Sequence, residues 1–251
     1  MGAMPDEASR VDAFTRAVGS MLRDSGFAAP RSSQASVVVF DASTLAGDAP
    51  TATWLLDRRE RARAARFRFH RDRDTYVLAH AVWRIALGTC LGVDACEVPL
   101  ATTTDGQPRL AGTALSTSLS HSGDLVAFTV CPAATVGVDI ERYPPRIDLD
   151  ALMPVFCTRE ERDELSTLTD HERARALLEL WTRKEALLKA FGVGLLTDPS
   201  TTPAPSTHAL MPPANAIHYP PCRTRNLHPS KDWIAAIATP SAIRDISLHA
   251  I

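Results

Sequence analysis

The sequence predicts an α+β fold, because two long helical tracts, at residues 56–87 and 171–191, lie among short stretches with the patterning of strands. The strand signals are β-branched or alternating runs at 36–40, 116–119, 125–130, 135–141, 233–239 and 245–251, most of them bounded by polar or turn-forming residues. With 251 residues, 45% of them hydrophobic and 22% charged, the chain is long enough for one large domain or two packed halves.

The first 34 residues contain one weakly amphipathic stretch, with Phe14, Val18 and Leu22 at helical spacing, which reads as an added helix or a mobile tail. The first strand is the apolar run SVVVF at 36–40. The tract 56–87 follows as one long helix, with Gly88 as its stop. Its first half crowds Arg58, Arg59, Arg61, Arg63, Arg66, Arg68, Arg71 and Arg73 together. Such a cluster is either a solvated face or an anion site, since guanidinium groups bind phosphate oxygens in pairs.

Asp105-Gly106-Gln107-Pro108 signals a turn. Two strands, 116–119 and 125–130, are then joined by Ser120-His121-Ser122-Gly123-Asp124. That connection is either an ordinary hairpin loop or an anion site built from backbone N–H groups, hydroxyls and one imidazole. In the next strand, TVGVDIE at 135–141, alternation puts Val136, Val138 and Ile140 on one face and Gly137, Asp139 and Glu141 on the other. Two carboxylates about 6.5–7 Å apart along a strand repel when ionised. A cation between them relieves this, and carboxylate oxygens suit Mg²⁺.

After Pro144 and Pro145, Thr158 and Glu161 have the spacing of a capping box, opening a helix through Leu168. The second long helix begins near His171 and carries Trp181, Glu185 and Lys189 at i, i+4 and i+8, so that one strip holds an acid and a base. Leu177, Leu180, Leu187, Leu188 and Phe191 form its anchoring face, and Gly192 and Gly194 end it. Taken alone, the strip is an exposed Glu-to-Lys pair of about 0.2–0.5 kcal/mol. Beyond Leu196 the chain is proline-rich up to Pro229, favouring extended segments and turns, and it finishes in a closing pair of strands at 233–239 and 245–251.

A net charge of -2 argues against whole-protein attraction to nucleic acid. The five cysteines are scattered without a C-x-x-C pair, which fits a reducing cytoplasm. No apolar run approaches the length of a membrane span, and nothing at the N-terminus indicates secretion.

Taken in order, SHSG at 120–123, GVDIE at 137–141 and WTRKEALLKAFGVGL at 181–195 resemble the 4′-phosphopantetheinyl transferases of the surfactin-synthetase-activating type. The resemblance runs from about Val37 to Leu196. It implies two similar, pseudo-twofold-related halves, each a small antiparallel sheet packed on a long helix, with coenzyme A in the cleft between them. The chain then divides into an extension at 1–34, a first half at 35–135 and a second half at 136–251.

The resemblance further implies that Asp139, Glu141 and Glu185 hold Mg²⁺, or Mn²⁺, which oxygen ligands alone do not distinguish. It makes Lys189 an aid to transfer and coenzyme A contact, His121 with Ser120 a phosphate contact, and Arg63, with Arg61 beside it, a further basic contact. Glu185 is the candidate general base for a carrier-protein serine. The implied reaction moves 4′-phosphopantetheine from coenzyme A to an apo acyl or peptidyl carrier protein and releases 3′,5′-ADP. A monomer is expected, without nucleic acid or membrane. Where the family often has Gly-Lys-Pro, this chain has Gly106-Gln107-Pro108, so one phosphate-directed charge is missing. Two other readings use the same residue types: a Mg²⁺-dependent phosphohydrolase or nucleotidyl transferase, and a coenzyme-A- or carrier-binding module without turnover.

Overall fold

In the computed structural model, which describes residues 6–103, 106–194, 197–227 and 230–251, the N-terminal extension is an integral helix. Among the residues discussed above, Asp105, Leu195, Leu196 and Pro229 lie outside the described ones. Helix α1 (Glu7–Asp24) starts at Asp6, whose carboxylate accepts the Ser9 N–H at 2.8 Å. Phe14, Val18 and Leu22 are buried in the main core, so this segment is not a tail.

Strand β1 (Gln34–Asp41) follows, and then a short helix α2 (Ala49–Ala52). The expected single helix at 56–87 is two: α3 (Arg58–Ala64), with a capping box between Asp57 and Glu60, and α4 (His70–Leu91). Gly88 is not the stop. It lies inside α4, where a Cβ would meet the Val93 carbonyl at 2.7 Å, and the left-handed Gly92 ends the helix instead. A buried network ties the two helices. Arg84 donates to Glu60 at 2.7 Å and to Asp57 at 3.0 Å, and His80 Nδ1 lies 2.8 Å from Glu60. Burial opposes ionisation of Glu60, but the His80 and Arg84 contacts outweigh it and hold its pKa below the usual carboxylate value.

A small hairpin, β2 (Leu100–Thr102) and β3 (Pro108–Leu110), leads to β4 (Ser116–Ser122), β5 (Leu125–Cys131) and β6 (Gly137–Arg142). Helices α5 (Leu149–Phe156), α6 (Arg159–Leu165) and α7 (Asp170–Ala190) come next. The Thr158–Glu161 capping box is present, but α6 stops at Leu165 rather than Leu168, and a second box at Thr169 and Glu172 starts α7. Strands β7 (Cys222–Leu227), β8 (Trp233–Pro240) and β9 (Asp245–Ala250) finish the chain. Among the described residues no helix is long and apolar enough to cross a membrane, and all five cysteines are free.

Besides the two-stranded β2–β3 hairpin, the described residues form two larger sheets, with strand orders β4-β5-β1-β9 and β6-β8-β7. The last two strands do not pair with each other, as their adjacency suggested. β8 is the centre of the second sheet, whereas β9 crosses back and joins β1 in parallel. The first sheet is therefore mixed rather than purely antiparallel. One face of it packs on α4 through Val38, Phe40, Val126 and Phe128. The other face, with Val37, Val39 and Ala127, packs on Val138, Ile140 and Ile237 of the second sheet. That explains why β1 runs apolar without a break from Val37 to Phe40: both of its faces are buried.

Helix α7 covers the outer face of the second sheet, with Leu187 and Leu188 in one core with Ala236 and Ala238. It approaches β6 so closely that a Cβ on Gly137 would lie 1.9 Å from the Ala186 carbonyl and 2.6 Å from the Ala190 nitrogen. Both obstacles are backbone and cannot rotate away. Gly137→Ala is expected to cost about 3 kcal/mol, or roughly 6–12 °C in Tm, as read by thermal unfolding. A Tm within about a degree of the parent would mean that α7 shifts freely on β6.

Candidate active site

The site lies on the seam where edge strand β4 of the first sheet meets edge strand β6 of the second, under α7. Of the serines of β4 that alternate at period two, Ser118, Ser120 and Ser122 bond to β6. Ser118 Oγ accepts the Val138 N–H at 3.2 Å, Ser120 Oγ donates to Asp139 Oδ1 at 2.7 Å, and Ser122 Oγ donates to Glu141 Oε2 at 2.5 Å. The segment Ser120 to Ser122 is thus strand rather than loop, paired with β5 through Ser120↔Ala127 and His121↔Val126. Its backbone N–H groups are not gathered to receive an anion, and the turn is Gly123-Asp124. Ser118 was read only as a strand residue and Ser122 only as a hydroxyl of an anion-binding connection, although the alternation S-x-S-x-S-x-S from Ser116 to Ser122 is the signal that marks both as seam residues.

Lys189 reaches over this seam from the last turn of α7. Its ammonium donates to Asp139 Oδ1 at 2.7 Å and to Ser120 Oγ at 2.8 Å. The i, i+4 ion pair with Glu185 is not formed: the lysine pairs with the buried Asp139, and Glu185 has no hydrogen-bond or ion-pair partner among the described residues. Glu185 is held above the usual carboxylate pKa, first by burial and then by the Asp139 charge, with Lys189 acting the other way. Glu141 is raised too, by burial and by Asp139, while hydrogen bonds from Ser122 and Trp181 oppose the shift. Asp139 Oδ2 is buried and has no hydrogen-bond partner. Such an atom is costly to bury unless something outside the chain's own side chains satisfies it.

These observations bear on a cation. Among the described residues no group of three His, Cys, Asp or Glu side chains stands as a ready cage. An all-protein cage is not what Mg²⁺ requires, since it keeps several waters and takes substrate oxygens. The orphaned Asp139 Oδ2, the partnerless Glu185 and the mutual repulsion that raises Glu141 and Glu185 are all relieved by a hard cation, so the donor set fits one.

His121 projects from the opposite face of β4 to Ser120, toward α4, so the two side chains do not lie side by side as their adjacency implied. Its ring reaches solvent, yet the dense surroundings and the Lys189 ammonium, with a smaller contribution from His80, hold its pKa below the ordinary histidine value. Arg61 donates to the Leu56 carbonyl at 2.7 Å, and Arg63 lies over the Phe67 ring at 5.9 Å. Among the described residues, neither forms a hydrogen bond or ion pair with the Ser120–Asp139–Lys189 group. Arg71 is the arginine tied to the β4–β5 turn, pairing with Asp124.

The neighbouring Lys184, in the same W-x-x-K-E run, is structural. It is buried against Glu161 at 2.8 Å and donates to the carbonyls of Pro199 at 2.9 Å and Thr202 at 2.5 Å. Arg183 donates to the Ala204 carbonyl at 2.8 Å and to Asn226 at 2.6 Å. The proline-rich segment is in this way clamped to α7, which fixes the helix that carries Glu185 and Lys189.

Residues 135–238 match the model of the 4′-phosphopantetheinyl transferase superfamily, and residues 46–133 match that of the 4′-phosphopantetheinyl transferase N-terminal region. The chain is 32% identical over 176 residues to the 4′-phosphopantetheinyl transferase HetI of Nostoc sp., a match covering 63% of this chain and 74% of that protein. It is 32% identical over 155 residues to a phosphopantetheinyl transferase of Thraustochytrium sp., covering 56% of this chain and 54% of the relative. It is 27% identical over 161 residues to the mouse L-aminoadipate-semialdehyde dehydrogenase-phosphopantetheinyl transferase, covering 57% and 52%. The chain thus spans about three-quarters of the Nostoc protein and about half of the other two.

Proposed function

Since the chain belongs to the 4′-phosphopantetheinyl transferase family, we propose that it moves 4′-phosphopantetheine from coenzyme A to a serine of an apo acyl or peptidyl carrier protein, releasing 3′,5′-ADP. We read it as a monomeric, cytoplasmic enzyme of the surfactin-synthetase-activating type, serving fatty-acid, polyketide or nonribosomal peptide synthases. The observation that carries the reading is the Ser120–Asp139–Lys189 junction, with Glu185 partnerless beside it and Asp139 Oδ2 unsatisfied. This is a site already charged and held, with acceptor capacity left over.

In this reading the carrier seryl oxygen forms a bond to the β-phosphorus of coenzyme A, and the bond from that phosphorus to the bridging oxygen breaks. Glu185 accepts the hydroxyl proton, in the ionised form that a bound Mg²⁺ and the Lys189 ammonium would favour. Lys189, anchored at Asp139 and Ser120, offers its one remaining N–H to the departing phosphate. His121 and the arginines near Arg61 and Arg63 hold the nucleotide end. Asp139, Glu141 and Glu185 would hold Mg²⁺, which when bound offsets the negative charge of the diphosphate.

The test is to incubate the protein with coenzyme A, Mg²⁺ and an apo carrier domain and to weigh the carrier. A gain of one phosphopantetheine is expected, and it should vanish when a chelator is added. Nucleotide hydrolysis with no gain on the carrier would point to a phosphohydrolase. Coenzyme A binding without either would leave a binding module.

A further inference from the structure

Gln107 occupies the place where the resembled family often has a lysine, and its side chain is fully engaged elsewhere. Its backbone is fixed in the hairpin, with Thr103 N donating to the Gln107 carbonyl at 2.9 Å and Gln107 N donating to Thr103 Oγ1 at 3.0 Å. From that base the carboxamide spans the two halves. Nε2 donates to the Lys189 carbonyl at 2.9 Å and lies 3.4 Å from that of Ala190, while Oε1 accepts the Tyr219 hydroxyl at 2.7 Å. The two carbonyls belong to the last turn of α7, beyond the reach of the regular helical ladder, and the Lys189 carbonyl also accepts the Gly192 N–H at 3.1 Å. The fit is close: Gly192 sits left-handed at φ 65 directly beside the amide, and a Cβ there would meet Gln107 Oε1 at 2.9 Å. Thr135 adds a hydroxyl bond to the Ala190 carbonyl from the segment entering β6.

We propose that Gln107 is a positioning residue for Lys189 and not a ligand contact: it fastens the β2–β3 hairpin to the end of α7 and so sets where the Lys189 ammonium meets Asp139 and Ser120. The residue whose main-chain oxygen Gln107 holds is the same one whose side chain closes the β4–β6 seam. A neutral amide suits this task because it donates to two carbonyls and accepts from a phenol at once. Lysine can do only the first. The phosphate-directed charge missing at this position is therefore exchanged here for a tie between the halves. The inference rests on the transferase reading above.

The test uses Gln107→Met, Gln107→Glu and Tyr219→Phe in the full chain, with kcat and KM for coenzyme A at saturating carrier, Kd for coenzyme A by calorimetry, and Tm. Gln107→Met is expected to lower kcat about ten-fold, because misplacing a group that acts only in the transition state costs turnover. Its KM and Kd for coenzyme A should stay within about two-fold of the parent. Gln107→Glu should lower kcat further, since a carboxylate then faces the helix carbonyls. Tyr219→Phe should lower it by about three-fold, and the Gln107→Met/Tyr219→Phe double variant should be no slower than Gln107→Met alone. A raised KM with unchanged kcat would make Gln107 a ligand contact and overturn the proposal. A lowered Tm with unchanged kcat and KM would overturn it too, leaving a purely structural tie. Should Gln107→Met fail to fold, Tyr219→Phe carries the same comparison. A parent chain that does not load the carrier at all defeats the transferase reading rather than this inference.

Discussion

A Glu185→Gln variant is expected to fold normally and to transfer at least about 10²-fold more slowly than the parent. The substitution keeps the volume and removes only the charge and the ability to accept a proton. No side chain among the described residues loses a partner, because none is bonded to Glu185. Burial and the neighbouring Asp139 and Glu141 charges hold its pKa above the ordinary carboxylate value, so its ionised form is disfavoured in the folded chain. The sign for stability follows from proton linkage. Between the unfolded pKa and the higher folded one, the native state binds more protons, so the parent loses stability as pH rises through that window. The Gln variant lacks this loss. In a chelating buffer it should be at least as stable as the parent at neutral pH, and the difference should close as pH falls below the carboxyl range. Urea titrations at several pH values, set beside turnover by carrier mass, read both effects. A variant that keeps full turnover would remove Glu185 from the proton transfer. A variant that is less stable at neutral pH would show that Glu185 is a partnered structural acid.

How far the sequence revealed this site depends on which contacts are local. The alternation of GVDIE put Asp139 and Glu141 on one face, and the helical period put Glu185 and Lys189 on one strip, because both patterns repeat within a few residues. What Lys189 pairs with is not local: Asp139 lies fifty positions away on β6, and only the packing of α7 over Gly137 brings the two together. Ser120 and Ser122 looked like loop residues because their polarity suits turns, whereas at a seam between two sheet edges polarity is what bonds across. The parallel β9 could not be read from its own pattern, since the strand beside it is β1 at the other end of the chain. β7 was hidden by composition. Cys222 and Thr224 face inward while Arg223 and Arg225 face outward, an alternation with few apolar residues set among prolines. Lys184 looked like one more helix-surface charge, and its burial became visible only with the carbonyls of Pro199 and Thr202 around it.

Asp139→Asn is expected to abolish measurable transfer, by a larger factor than any other single change at the seam, because Asp139 serves two structures at once. Its Oδ1 receives both the Ser120 hydroxyl and the Lys189 ammonium, and its Oδ2 is the buried acceptor left over for a cation. Asparagine keeps one oxygen, but it turns an N–H₂ either toward Lys189 or into the position of Oδ2, so one of the two functions is lost whichever way the amide points. Whichever way it points, the neutral amide leaves the ammonium without its counter-charge. The pair is only partly shielded, since Lys189 is 28% exposed at its side chain, so the stability cost is smaller than for a fully buried pair. About 1–2 kcal/mol is expected, or roughly 2–8 °C in Tm. The two functions separate by measurement. Calorimetric titration of Mn²⁺ in the presence of coenzyme A should show weakened binding in Asp139→Asn and unchanged binding in Ser120→Ala, which leaves the Asp139 carboxylate and its unpartnered Oδ2 in place. Equal loss of metal binding in both variants would assign the cation to the seam as a whole rather than to Asp139. Full retention in Asp139→Asn would remove Asp139 from the ligand set and leave it as the anchor of Lys189.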